Sequence, residues 1–228
     1  MGVWARAEFG REQLPETAFL FAGLTPQSLV ESITERFERI QFHKHDIFEV
    51  FIVQAEDNET LLALQVYGAP QVADLLFALK DGNVRSVVFL GAAYGLDPEL
   101  RVGDCVIPTK TRCLDGFSAV LGADRYVRPD RSLSDRLRRA MRDAGLRFRE
   151  GTTVSVPSTF FHADHSRFDP DTLALEIELA SFFHVAALTG LRAAAALVIS
   201  DVKGHSLLDD QSGRHRKTVE VFETLRRL

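Results

Sequence analysis

The stretch that most constrains the fold runs from Asp171 to Gly204, DTLALEIELASFFHVAALTGLRAAAALVISDVKG. Leu173 to Ile177 is short, apolar and alternating, which predicts a strand. From Glu178 to Leu188 the apolar residues Leu179, Phe182, Phe183, Ala186 and Ala187 recur at helical spacing, and Gly190 stands where a C-terminal cap glycine would. Ala193 to Ile199 is a continuous apolar run, the pattern of a strand covered on both faces. A strand–helix–strand unit normally makes parallel neighbours through a right-handed crossover. On that expectation Glu176, Glu178 and Asp201 lie along one carboxyl edge of the sheet, where open α/β sheets bind ligands. Carboxylates at the mouth of an apolar sheet are costly to desolvate without a ligand or partners.

The rest of the 228-residue chain carries the same alternation. Residues 1–17 read as polar and irregular. Ala18 to Ala22 is a short buried strand, and Thr25-Pro26 opens a helix with Leu29, Ile33, Phe37 and Ile40 on one face. Asp46 to Gln54 and Thr60 to Tyr67 read as strands, and Gln71 to Leu79 as a helix. Ser86 to Leu90 is a buried strand closed by the small-residue loop Gly91-Ala92-Ala93-Tyr94-Gly95, and Asp104 to Pro108 another short strand. Asp115 to Pro129 has no readable period. Ser132 to Ala144 is an amphipathic helix, Thr152 to Val156 a strand, and Pro157 to Asp171 a long loop. A last helix shows Val219, Phe222 and Leu225 on one face. Without linker or repeat, residues 1–228 read as a single domain, a three-layer αβα sandwich on a central mixed β-sheet.

Composition narrows the function. A net charge of −5 without a basic stripe argues against nucleic acid, and no apolar run reaches membrane-spanning length. Cys105 and Cys113 make neither a disulfide framework nor a zinc pattern, and the N-terminus lacks the apolar core of a secretory signal, which favours a cytoplasmic setting. His162-Ala163-Asp164-His165 has no further ligands at metal spacing, so no metal and no cofactor is expected.

Four segments, in order, resemble the nucleoside phosphorylase family, which comprises purine nucleoside and uridine phosphorylases and the hydrolytic methylthioadenosine/S-adenosylhomocysteine nucleosidases. Phe21-Ala22-Gly23 resembles the first phosphate loop. Val88 to Leu96, continuing to Val102–Pro108, resembles the glycine-rich loop and the strand after it. Leu175-Glu176-Ile177-Glu178 resembles a Val-Glu-Met-Glu motif, and Ser200-Asp201 a Ser-Asp at a strand end. The correspondence covers nearly the whole chain.

The resemblance implies roles. Asp201 is similar to the acid that protonates or hydrogen-bonds the purine N7, and Arg214, thirteen residues later, has the spacing of the arginine that assists it. Glu178 is similar to the carboxylate that accepts from the ribose 2′ and 3′ hydroxyls. Ile177 replaces the methionine under the sugar, and Phe160, with Phe161 as the competing register, resembles the aromatic that stacks on the base. Glu176, Gly91, Ala92 and Ser200 complete the implied substrate site. Cleaving an N-glycosidic bond leaves cationic charge on the sugar and anionic charge on the base, so an acid at N7 contributes about 10²–10⁴-fold. The implied co-substrate is phosphate or water, and the implied assembly a homo-oligomer: dimer, trimer or hexamer.

The departures fall on the nucleophile side. Ser28, or a neighbour, stands where the family has an arginine after the first loop, Phe89 where it has one before the glycine-rich loop, and Ala92 where it has a hydroxyl. Phosphate has little to hold it without them. Gly23, Ser28, His43, His45 and Phe89 mark that region, with His43, Lys44 or His45 left to serve it across a subunit interface. Leu24-Thr25-Pro26-Gln27 offers no glutamate to activate water. Hydrolysis is favoured, with phosphorolysis and a catalytically silent or repurposed nucleoside-binding protein as the open alternatives.

Overall fold

The computed structural model describes the backbone of residues 2–23, 27–37, 40–44, 49–55, 58–158, 160, 167–203, 205–206, 211–226 and 228. Side chains are described for the same residues except 27–29, 34, 40, 42–44, 55, 205–206 and 211–215. The longest apolar runs form the centre of one mixed sheet. There β1 (Thr17–Ala22), β5 (Ser86–Gly95) and β10 (Arg192–Val202) run parallel, with β5 in the middle. β4 (Asn58–Val66) continues in parallel beyond β1, followed by antiparallel β3 (Glu49–Ala55) and β2 (Ile40–Lys44). On the other side β10 meets β6 (Cys105–Cys113) antiparallel. β8 (Phe148–Ser155) and β9 (Thr172–Glu176) then follow β6 in parallel. β9 returns to the far end of β5 through Tyr94 and Gly95, antiparallel. The strands β5, β10, β6, β8 and β9 thus close on themselves, a small barrel at one end of the open sheet. β7 (Tyr126–Val127) and β11 (His205–Ser206) add short edges to β6 and β10.

Strands apolar on both faces need helices on both. On one side lie α1 (Val3–Phe9), α3 (Ala69–Asp81), α4 (Phe117–Val120) and α6 (Leu179–Thr189). On the other lie α2 (Gln27–Thr34), α5 (Arg131–Asp143) and α7 (Gln211–Leu225). The period of two divides the central strands between the layers. Val87, Phe89, Ala195, Leu197 and Ile199 pack with Leu76, Phe182 and Phe183 of α3 and α6. Val88, Leu90, Ala194, Ala196 and Val198 pack with Leu137, Met141, Val219 and Phe222 of α5 and α7. The result is a three-layer αβα sandwich.

The structure corrects several sequence expectations. The helix over the 178–188 run forms as α6, and Gly190 caps it in the left-handed region at φ 69°. But β9 and β10 are not parallel neighbours. β6 and β5 occupy the two edges of β10, while β1 covers only Ser86 to Leu90 of β5. The remaining free edge of β5 takes β9, which enters from the opposite direction. Within residues 1–17, expected to be irregular, Val3–Phe9 forms α1, which docks Ala5 and Phe9 into the core. Asp81, at the end of α3, accepts from the N–H groups of Gly2 (2.9 Å), Trp4 (2.7 Å) and Ala5 (3.2 Å). That cap comes from a residue distant in the chain, so no local pattern marks it. The unreadable 115–129 segment holds α4 and β7, and the strand expected over 104–108 runs on to Cys113.

Candidate active site

Asp201 owes its direction to one extra residue. Along β10, Ile199 pairs with Ala93 of β5 and Asp201 pairs with the next residue, Tyr94, so Ser200 is inserted. In a regular strand Asp201 would follow Leu197 and Ile199 into the layer of α3 and α6. The bulge at Ser200 turns it onto the face that carries Tyr94. The Ser200 Oγ lies 2.6 Å from Asp201 Oδ2 and 3.3 Å from the Ala93 carbonyl, so its hydroxyl can donate to either.

On its other edge Tyr94 pairs with Leu175 of β9. The two strand ends expected to share one carboxyl edge therefore meet from opposite sides of β5. Ile177, just past the end of β9, is half-buried against a small apolar cluster of Val154, Val156, Phe168 and Leu175, which Tyr94 also joins.

Glu176 and Glu178 are both buried, with different partners. Glu176 Oε2 accepts from the backbone N–H groups of Glu178 and Leu179, both at 2.6 Å, and Oε1 accepts from the Ser155 hydroxyl. Ser155 Oγ in turn accepts from Ala180 N–H at 2.7 Å. The first turn of α6 is thus capped from β9 and β8, and its formal N-cap residue, Glu178, makes no cap bond with its side chain. Its Oε1 accepts instead from Gly68 N–H at 2.9 Å, in the turn before α3. Burial raises both carboxyls above the usual carboxylate range, the charge of Glu178 raises Glu176 further, and the donors around each pull back.

Of the substrate residues expected from sequence, Asp201, Ser200, Gly91 and Ala92 lie on β5 or its partner β10, Ile177 packs on the cluster that Tyr94 joins, and Glu178 is held by Gly68. Gly91 is required sterically: an added Cβ would sit 2.5 Å from Cε1 of Phe89. The oxygens of Glu176 are engaged by Ser155 and the start of α6, the structural role that its residue type also allows. Phe89 is fully buried, its ring centroid 5.2 Å from that of Phe182, because its place in the strand alternation points it into the α3–α6 layer. Phe160 is 85% exposed and so not a core residue. Gly23 takes φ 90° and donates to the Val66 carbonyl at 2.7 Å. The side chains of Ser28, His43, Lys44 and Arg214 lie outside the described residues, as do His45 and Phe161 altogether. Sequence reasoning missed three contributors. Tyr94 had a signal, as the one bulky residue in a run of small ones; Ser155 and Gly68 had none, since they act through contacts distant in the chain.

The model of the phosphorylase superfamily matches residues 21–226. The chain belongs to that superfamily. This family of nucleosidases and nucleoside phosphorylases cleaves N-glycosidic bonds. Solved structures repeat the superfamily fold over almost the whole chain. The 5′-methylthioadenosine/S-adenosylhomocysteine nucleosidase of Campylobacter jejuni superposes with a TM-score of 0.78 at 18% identity, covering 94% of this chain and 100% of that one. The uridine phosphorylase of Vibrio fischeri gives 0.80 at 16%, covering 95% and 93%. The futalosine hydrolase of Helicobacter pylori gives 0.76 at 14%, covering 93% and 98%. At such identities the likeness establishes the fold. No curated protein sequence matches the chain.

Proposed function

We propose that this superfamily member hydrolyses the N-glycosidic bond of a purine nucleoside or a derivative of one. The observation that carries the reading is the bulge at Ser200, which sets Asp201 opposite Tyr94 at the end of β5 where the Glu178 segment arrives. Asp201 delivers a hydrogen bond or proton to N7 as the base departs, and Ser200, 2.6 Å away, holds its carboxyl in place. Glu178 accepts from the ribose hydroxyls, exchanging its bond to Gly68 N–H for contacts with the ligand. Arg214 assists Asp201, and Phe160, exposed and available, stacks on the base.

Water is favoured as the nucleophile because two positions that would serve phosphate carry Phe89, buried, and Ala92, which has no hydroxyl. The similar structures include both hydrolases and a phosphorylase, so the sugar product decides. The protein is incubated with a panel of nucleosides, with and without phosphate. Free ribose supports hydrolysis, ribose 1-phosphate supports phosphorolysis, and saturable binding without turnover supports a binding protein. Asp201→Asn lowers kcat by about 10²–10⁴-fold with nucleoside binding retained; full activity in that variant refutes the assignment.

A further inference from the structure

Tyr94 has no role in the mechanism above, yet it occupies the centre of the site. It is the one position of β5 paired with Asp201 on one edge and with Leu175 on the other. Its ring joins the cluster of Val154, Phe168 and Leu175 that Ile177 also packs on, so it projects from the face that the bulge at Ser200 gives to Asp201. Despite that packing the residue is only half-buried, and part of it faces open space. Gly91, Ala92 and Ala93 precede it and Gly95 follows, so Tyr94 is the one bulky side chain of this stretch of β5.

The electrostatics agree with this placement. Burial raises the phenol above its ordinary value, and the negative charge of Asp201 raises it further. The hydroxyl stays protonated at neutral pH and can act as a donor.

Resting on the nucleoside-cleavage reading, we propose that Tyr94 is the specificity residue of the base subsite. Its ring walls the space between Asp201 and Ile177, and its hydroxyl donates to a ring or exocyclic acceptor on the edge of the base beside Asp201. A site that offers a fixed donor favours bases with an acceptor at that point and disfavours analogues lacking one. The same ring limits the bulk that the base can carry on that edge.

The test compares wild type, Tyr94→Phe and Tyr94→Ala on a panel of nucleosides differing in acceptor groups and in size. The preferred substrate should lose about tenfold in kcat/KM in Tyr94→Phe, in line with one lost neutral hydrogen bond, while an analogue without the acceptor should change little. Tyr94→Ala should open the subsite, so that bulkier bases gain relative to the preferred one. A purely structural tyrosine would lower every substrate in proportion and leave the ratios unchanged, which refutes the proposal. Absorbance titration at 295 nm gives a readout free of turnover. The wild-type curve minus that of Tyr94→Phe isolates this phenol, and Asp201→Asn should move its ionisation to lower pH. An unmoved titration shows that the two groups are not neighbours and overturns the geometry. Wild type that neither turns over nor binds any nucleoside overturns the functional reading and this one together. An active wild type with unaltered selectivity in Tyr94→Phe overturns this one alone.

Discussion

Glu176 is the residue whose replacement most directly tests how this site is built. Glu176→Ala strips the acceptor from two backbone N–H groups, those of Glu178 and Leu179 at 2.6 Å, and from the Ser155 hydroxyl. A buried donor left unpaired costs about 1–3 kcal/mol, and the vacated side-chain volume adds to that. Two orphaned N–H groups and a small cavity amount to about 3–6 kcal/mol, a large share of the 5–15 kcal/mol that holds a typical domain. At about 2–4 °C per kcal/mol for a chain of this size, the melting temperature should fall by about 6–24 °C. Glu176→Gln separates capping from charge. It keeps an oxygen for the two N–H groups and turns an amide toward Ser155, a change of about 1 kcal/mol. Both buried carboxyls titrate above their unfolded value of 4.5, so the native state holds more protons than the unfolded state between there and about 8. Raising the pH through that window therefore destabilises the wild type. The glutamine variant should lose less, and the gap between the two should narrow from pH 5 to pH 8. Thermal melts and urea titrations at both pH values measure this. If Glu176→Ala melts within about 2 °C of wild type, the capping argument is wrong, and if Glu176→Gln keeps the full wild-type pH slope, the raised titration does not belong to Glu176.

Two further replacements probe the frame. Phe222 of α7 sets its ring 5.4 Å from Phe19, 5.3 Å from Phe21 and 6.2 Å from Phe37, so Phe222→Ala should cost about 3–5 kcal/mol in urea unfolding. Gly190→Ala places a Cβ in the left-handed region at φ 69°, and equilibrium unfolding should show a loss of about 1 kcal/mol with turnover little changed.

Much of the fold was legible because hydrophobic periodicity is local. The runs 86–90 and 193–199 have too few polar residues to face water on either side, so they read as inner strands, and they are. α6 was legible for the same reason, with Gly190 marking its end. α1 was not, because its anchor is Asp81, more than seventy residues away. Phe89 shows what a motif leaves out. Its motif position marks where the family has an arginine, while alternation along β5 sends its ring to Phe182.

The site divides along the same line. The sequence by itself determined the chemical inventory: two glutamates flanking Ile177, a Ser-Asp at a strand end, and small residues ahead of Tyr94. It also determined that these belong to strand ends, since each lies where an apolar run stops. Only the tertiary structure decided how they face one another. β9 runs against β5 because both edges of β10 were already taken, and Asp201 faces Tyr94 because Ser200 adds one residue to its strand. A one-residue slip reverses every side chain beyond it. Whether it occurs depends on how neighbouring strands pair, which no local pattern records. Glu176 and Glu178 differ for a similar reason. Adjacent in one motif, they part because Ser155 and the start of α6 claim the first, while Gly68 meets the second.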